Sequence, residues 1–123
     1  MRLKDRIGRD ELFYDIADGK YADAIAEIET TEDINYKEKN GYSYLHIAAQ
    51  CNAVSVVEKL IEKGIETDAA DKYGKTPLMV AVIGYSDDRS VIDLLLKNGA
   101  DPCAKANSGM SVRELAKMNG LEI

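Results

Sequence analysis

The chain has 123 residues, the length of one ordinary domain, and 46% of them are apolar, which suits a folded core and argues against disorder. Its formal net charge of −6 argues against nucleic-acid binding, which usually needs a surplus of Lys and Arg. Two distant cysteines without metal-site spacing indicate reduced thiols, so we expect a cytoplasmic protein. Neither a signal peptide nor a membrane-spanning apolar run is visible, so we expect no membrane contact.

The first segment, residues 5–37, is polar and carries the weakest structural signs. Asp10 and Leu12 lie 33 residues before Ser43 and Leu45, and this spacing is the basis for assigning a helix after Asp10. A second helical stretch runs from Tyr21 to Glu29.

The next two segments, 38–70 and 71–105, each predict an inner and an outer helix. Serine or threonine precedes each inner helix, where its hydroxyl can cap free backbone N–H groups. Pro77 falls at a first helical position, where its missing N–H costs nothing. The predicted inner helices are Ser43–Gln50 and Thr76–Ile83, and the outer helices are Val54–Lys63 and Ser90–Asn98. The last segment, 106–123, predicts one inner helix, Ser111–Met118.

These segments are copies of one unit. Residues 41–49 match residues 74–82 at an offset of 33, whereas residues 60–66 match 95–101 at an offset of 35, because two residues are inserted around 85–88. Gly41, Gly74 and Gly109 recur in the turn before each cap, which suits a hairpin tip that needs a positive φ. A repeat of this length predicts a stack in which each unit buries its apolar face on its neighbours.

The repeated block resembles the ankyrin repeat, most clearly in Thr76-Pro77-Leu78, in Leu45-His46-Ile47-Ala48-Ala49 and in residues 94–101. The resemblance implies an all-α fold: an ankyrin-repeat solenoid of helix-turn-helix units with hairpin-like connecting turns. We expect one domain over residues 1–123, with units at about 5–37, 38–70, 71–105 and 106–123. It also implies that the protein binds another protein through its concave face and turn tips.

Residues for catalysis are scarce. His46 is the only histidine, and it occupies the histidine of the repeat block, where the ring typically hydrogen-bonds the backbone of a neighbouring turn. No Ser-His-Asp or Cys-His arrangement accompanies it. We therefore expect no enzyme activity, catalytic residue, metal, cofactor or small-molecule substrate, and we expect a monomer.

Carrying the family's binding edge over position by position gives a set of turn and inner-helix residues. The set is locally basic and rich in tyrosine, a residue enriched at interfaces. The same tyrosines can instead pack between neighbouring turns, and the sequence leaves both readings open. The predicted partner-binding residues are Lys39, Asn40, Tyr42, Gln50, Lys72, Tyr73, Lys75, Ile83, Asn107 and Met110.

An alternative function uses the acidic residues instead. Some bacterial immunity proteins are similar ankyrin stacks, and a small acidic domain can block the basic cleft of a toxin. In that case Asp87, Asp88 and the outer-helix glutamates would contact the partner.

The register of the repeat predicts its core. Leu45, Leu60, Leu78 and Leu95 are predicted to be buried. We expect each change to alanine to cost roughly 2–5 kcal/mol, because it leaves a cavity between units that support one another. An unchanged melting temperature for Leu78→Ala would show that this register is wrong.

Overall fold

A computed structural model describes residues 4–123, so residues 1–3, with which the predicted domain begins, lie outside the described part. The described chain contains isolated single-residue bridges between residues 37 and 43 and between 105 and 111, but no strand. Its α-helices are α1 (Glu11–Ala17), α2 (Tyr21–Thr30), α3 (Tyr44–Gln50), α4 (Val54–Glu62), α5 (Pro77–Ile83), α6 (Ser90–Lys97) and α7 (Val112–Met118).

The helices stack in two rows. Helices α1, α3, α5 and α7 pack on one another in sequence as the inner row, and α2, α4 and α6 form the outer row. Each outer helix also packs on the inner helix that precedes it in the chain. The predicted all-α solenoid is therefore confirmed.

Every inner helix begins with the same side-chain cap. The side-chain oxygens of Asp10, Ser43, Thr76 and Ser111 each accept a hydrogen bond from the backbone N–H three residues later. The inner helices therefore begin one residue after the predicted start, because the predicted first residue is the cap itself. The outer helices begin where predicted and lack side-chain caps. Helices α4 and α6 end at Glu62 and Lys97, one residue before the predicted ends, whereas α2 ends at Thr30, one residue after its predicted end.

The core lies between the two rows. Leu45, Leu60, Leu78 and Leu95 are each 0% exposed, so all four predicted core leucines are confirmed. Helices α3 and α5 are the most deeply placed: every residue from Tyr44 to Ala49 and from Pro77 to Val82 is buried. This burial follows from their positions, because α3 packs on α1, α4 and α5, and α5 packs on α3, α6 and α7.

One backbone hydrogen bond joins each turn to the turn before it. We call the segments 5–9, 38–42, 71–75 and 106–110 the turn tips. The N–H of Lys72 donates to the carbonyl of Asn40 at 2.9 Å, and the N–H of Asn107 donates to the carbonyl of Tyr73 at 2.9 Å. Lys39 makes the equivalent bond to Ile7 at 2.6 Å. The tips thus form a continuous row in the register of the repeat.

Gly74 lies where two tips meet. Its φ of 77° is in the left-handed region, and a Cβ added there would lie 2.6 Å from Oδ1 and 2.8 Å from the backbone nitrogen of Asn107. Gly64 has a similar φ of 83°, but a Cβ there would meet nothing within 4 Å. The two glycines share a backbone conformation and differ in the space around them.

Alanine substitution at these two glycines should separate strain from crowding. Gly64→Ala should cost about 1–2 kcal/mol, the penalty of left-handed backbone for an L-residue. Gly74→Ala should cost about 1–3 kcal/mol more, because the methyl group must push the next tip away. Urea unfolding of both variants checks this difference. Equal losses would mean that the contact between the two tips contributes nothing to stability.

Candidate binding site

Each of the first three tips is closed by a carboxylate at the same repeat position. Oδ1 of Asp71 accepts hydrogen bonds from the backbone N–H groups of Tyr73 at 2.8 Å and Lys75 at 2.9 Å. Glu38 and Asp5 bond two amides of their own tips in the same way. These carboxylates are therefore used inside the turns, and each has its charge partly satisfied there.

The tip lysines have no such partner. Within residues 4–123, Lys39, Lys72 and Lys75 form no ion pair. Two of them surround an aromatic ring instead: Nζ of Lys72 lies 5.0 Å and Nζ of Lys75 lies 5.7 Å from the centre of the Tyr73 ring. The tip at 71–75 is therefore positive at its surface, although the chain as a whole is acidic.

The tips and the ends of α3 and α5 enclose a pocket of about 360 Å³, which we call the concave pocket. A second pocket of about 300 Å³ is also lined by Tyr73, together with Lys75, Ala106, Asn107 and Ser108. Lys39 and Met110 lie in the tips and line neither pocket. The concave pocket brings together seven of the ten predicted residues: Asn40, Tyr42, Gln50, Lys72, Tyr73, Lys75 and Ile83.

The pocket also contains residues absent from the predicted set, chiefly Arg9 and Val80. Nε of Arg9 lies 3.5 Å from Oε2 of Glu38, and its guanidinium carbon lies 6.0 Å from the centre of the Tyr42 ring. Arg9 precedes Tyr42 by one repeat length of 33 residues, so extending the register back into the first unit would have found it. Val80 gives no comparable signal, because it belongs to a continuous apolar helix.

Some of the tyrosines pack inside the protein, whereas Tyr73 is exposed. Tyr42 lies with its ring centre 4.8 Å from that of His46, and its hydroxyl donates to Oε1 of Gln50 at 2.8 Å. Burial raises the pKa of Tyr42 to about 12, so this hydroxyl stays protonated. Tyr36 and Tyr44 pack against Phe13.

Three large apolar side chains are exposed within the described residues. They are Tyr73 at 56%, Ile83 at 46% and Met118 at 72%. Ile83 and Met118 occupy the same position as Gln50 in successive repeats, at the ends of inner helices. Tyr73 and Ile83 both line the concave pocket, so part of its wall is exposed apolar surface.

His46 connects two repeats. The backbone N–H of Ser43 donates to its Nδ1 at 3.1 Å, so Nδ1 carries no proton and Nε2 donates to the carbonyl of Lys75 at 2.8 Å. The ring is fully buried, and this burial lowers the pKa of His46. As expected from the sequence, the ring hydrogen-bonds the neighbouring turn, and both of its nitrogens are engaged.

A group of carboxylates lies away from the concave pocket, between α1 and α2. Oxygen atoms of Glu11, Asp15 and Glu27 lie within 4.8 Å of one another, and Asp15 is only 5% exposed. Burial raises the pKa of Glu27 to about 7, and the neighbouring carboxylates add to this shift. Its burial and its side-chain hydrogen bond to Asp15 therefore favour the protonated form of Glu27 relative to an ordinary glutamate.

The fold defines a solenoid of stacked helical pairs with a pocket along its tips. The family described as "Ankyrin repeats (3 copies)" matches residues 12–106, well over half of the chain. The chain therefore belongs to the ankyrin-repeat family, whose members generally mediate protein–protein interaction and are typically not enzymes. Within residues 4–123, no helix has the length and apolar character needed to cross a membrane.

Several curated proteins are similar in sequence. The human BCL-6 corepressor-like protein 1 is 30% identical over 75% of this chain, and the mouse B-cell lymphoma 3 protein homolog is 33% identical over 72%. The ankyrin repeat-containing protein P1E11.10 of Schizosaccharomyces pombe is 26% identical over 85%. The chain spans only 5%, 20% and 48% of the length of these three relatives, respectively.

The buried His46 generates a pH prediction. Its native pKa is lowered, so between that value and the unfolded value of about 6.5 the unfolded chain binds more protons. Stability should therefore be present above about pH 6.5 and fall as pH drops towards the native pKa. The free energy of unfolding of the wild type and of His46→Gln should be measured with denaturant from about pH 8 to about pH 5, a range that spans the unfolded pKa of about 6.5. The difference between their pH dependences reports His46, because all other titratable groups are common to both proteins. If both proteins lost stability equally as the pH fell, the lowered pKa of the buried His46 would be contradicted.

Proposed function

We propose that this chain binds a partner protein through its concave face, using the tips 38–42, 71–75 and 106–110 and the exposed ends of the inner helices. One observation carries the proposal: seven of the ten residues predicted from sequence line one pocket of about 360 Å³. Tyr73 and Ile83 lie in this pocket and are exposed, so a partner that covers them gains apolar burial. The family's general role in protein–protein interaction supports the same conclusion.

We further propose that binding is the whole activity of this chain. His46 is its only histidine, and both ring nitrogens already hydrogen-bond the protein. A histidine that acts as a general base needs a ring nitrogen free to reach substrate, and this ring has none to offer. The proposal accordingly includes no cofactor, metal, nucleic acid, membrane or small-molecule substrate, and it takes the chain as a cytoplasmic monomer that meets its partner.

The alternative, an immunity protein that blocks a toxin with acidic residues, has weaker support. The carboxylate of Asp88 already accepts hydrogen bonds from Asn52 at 2.8 Å and from the backbone of Ser90 at 2.9 Å. The hydrogen bonds from Ser90 and Asn52 lower the pKa of Asp88, because they stabilise its charged form. On the outer helices, Glu29 is bridged by Lys59 and Lys63. These carboxylates are less available to a basic partner than the tip lysines are to an acidic one.

Partner capture with matched variants tests the proposal. A photo-crosslinking residue placed at Tyr73 should trap a protein from native lysate, and the Tyr73→Ala, Ile83→Ala double variant should then bind the purified partner at least about tenfold more weakly. Asp87→Lys, Asp88→Lys is the control and should bind as the wild type does. Both variants must first show wild-type circular dichroism.

The opposite pattern would contradict the concave-face assignment. If the Asp87, Asp88 variant lost binding and the Tyr73, Ile83 variant kept it, the acidic surface would be the contact and the immunity function would become the better hypothesis.

A further inference from the structure

Tyr73 lines two pockets. The concave pocket of about 360 Å³ and the second pocket of about 300 Å³ share Tyr73 and Lys75 as lining residues. The two pockets are therefore neighbours that meet at Tyr73 and Lys75. A linear segment of a partner that passes over this ring can reach both.

Both charged groups that lie over the Tyr73 ring are positive. The ammonium groups of Lys72 and Lys75 lie 5.0 and 5.7 Å from the ring centre, and neither forms an ion pair within residues 4–123. The nearest carboxylate of the same tip, Asp71, is held by two backbone amides. A cationic ligand would meet two like charges here, whereas a carboxylate would meet two unpaired ammonium groups.

The walls of both pockets include apolar surface. Val80 and the exposed Ile83 line the concave pocket, and Ala106 lines the second pocket. The lysine stems and the Tyr73 ring add further apolar area. Each pocket therefore suits an apolar side chain, and the two lysines at the shared Tyr73 ring suit an acidic one.

The site is formed in advance of binding. The backbone carbonyl of Tyr73 accepts a hydrogen bond from the N–H of Asn107 at 2.9 Å, and the carbonyl of Lys72 accepts one from Nδ2 of Asn107 at 3.0 Å. These bonds fix the tip that carries the ring and both lysines. A ligand therefore does not have to order this loop, which reduces the entropic cost of binding.

We propose that this pair of pockets binds a short linear acidic segment of the partner protein. The segment places a carboxylate between Lys72 and Lys75 and an apolar side chain in each of the two pockets that share Tyr73. This inference rests on the proposed function and narrows it from protein binding to recognition of an acidic–apolar peptide.

Random linear peptides displayed on phage are the probe. Panning on the folded wild-type chain should enrich sequences in which Asp or Glu is flanked by large apolar residues. The enriched peptide, made synthetically with a fluorophore, should bind in an anisotropy titration with an affinity that falls as salt rises. Its analogue with the acidic residue changed to the amide should bind about tenfold more weakly.

Lysine variants locate the contact. Lys72→Gln, Lys75→Gln keeps most of each side chain and removes its charge, so affinity for the acidic peptide should fall about tenfold. Lys20→Gln, Lys97→Gln removes two exposed lysines outside the pockets and should leave affinity unchanged.

Three results would overturn the inference: no enrichment, enrichment of peptides without acidic residues, or equal binding by the two lysine variants. A crosslink from Tyr73 to a native partner alongside any of these results would leave concave-face binding standing while removing the acidic linear segment. Loss of that crosslink together with wild-type peptide binding would leave recognition of the acidic segment standing and would remove concave-face binding of a native partner.

Discussion

The structure depends on one backbone hydrogen bond between each turn tip and the next. These bonds recur at equivalent repeat positions and link Ile7 to Lys39, Asn40 to Lys72 and Tyr73 to Asn107. They fix the distance between neighbouring tips, and the stacking of the inner helices follows the same register. The concave pocket exists because two tips are held side by side at this spacing above the ends of α3 and α5. His46 reinforces the same junction, because its ring joins the cap of one helix to the carbonyl of the next tip.

The same turns determine where charge appears. A turn of this kind leaves backbone amides pointing inward, and Asp5, Glu38 and Asp71 satisfy them. The negative charge of each tip is therefore placed inside the loop, while the lysine side chains extend outward. A net charge of −6 consequently coexists with a positive surface at the tip 71–75. Net charge describes the whole molecule and does not predict the electrostatics of one edge.

The sequence predicted the helices well because caps, glycines and apolar spacing are local signals repeated in one register. The sequence could not distinguish packed from exposed tyrosines, because Tyr42 and Tyr73 both lie in turns. Only the structure shows that Tyr42 packs on His46 while Tyr73 is exposed. Arg9 was missed because the first unit lacks the clear repeat block. The cluster of carboxylates that includes Asp15 and Glu27 was missed for another reason. These two residues lie on different helices, so only the packing of α1 on α2 brings them together.

The contacts between tips have a consequence for how such a stack can change over generations. The acceptors at these junctions are main-chain carbonyls, including that of Lys75, which accepts a hydrogen bond from Nε2 of His46. A carbonyl is present whatever side chain its residue carries. Units can therefore diverge in the side chains of their tips, or be duplicated and exchanged, while the junction to the neighbouring unit survives. The scaffold is in this sense decoupled from its recognition surface, and new specificities can arise at the tips without a new fold.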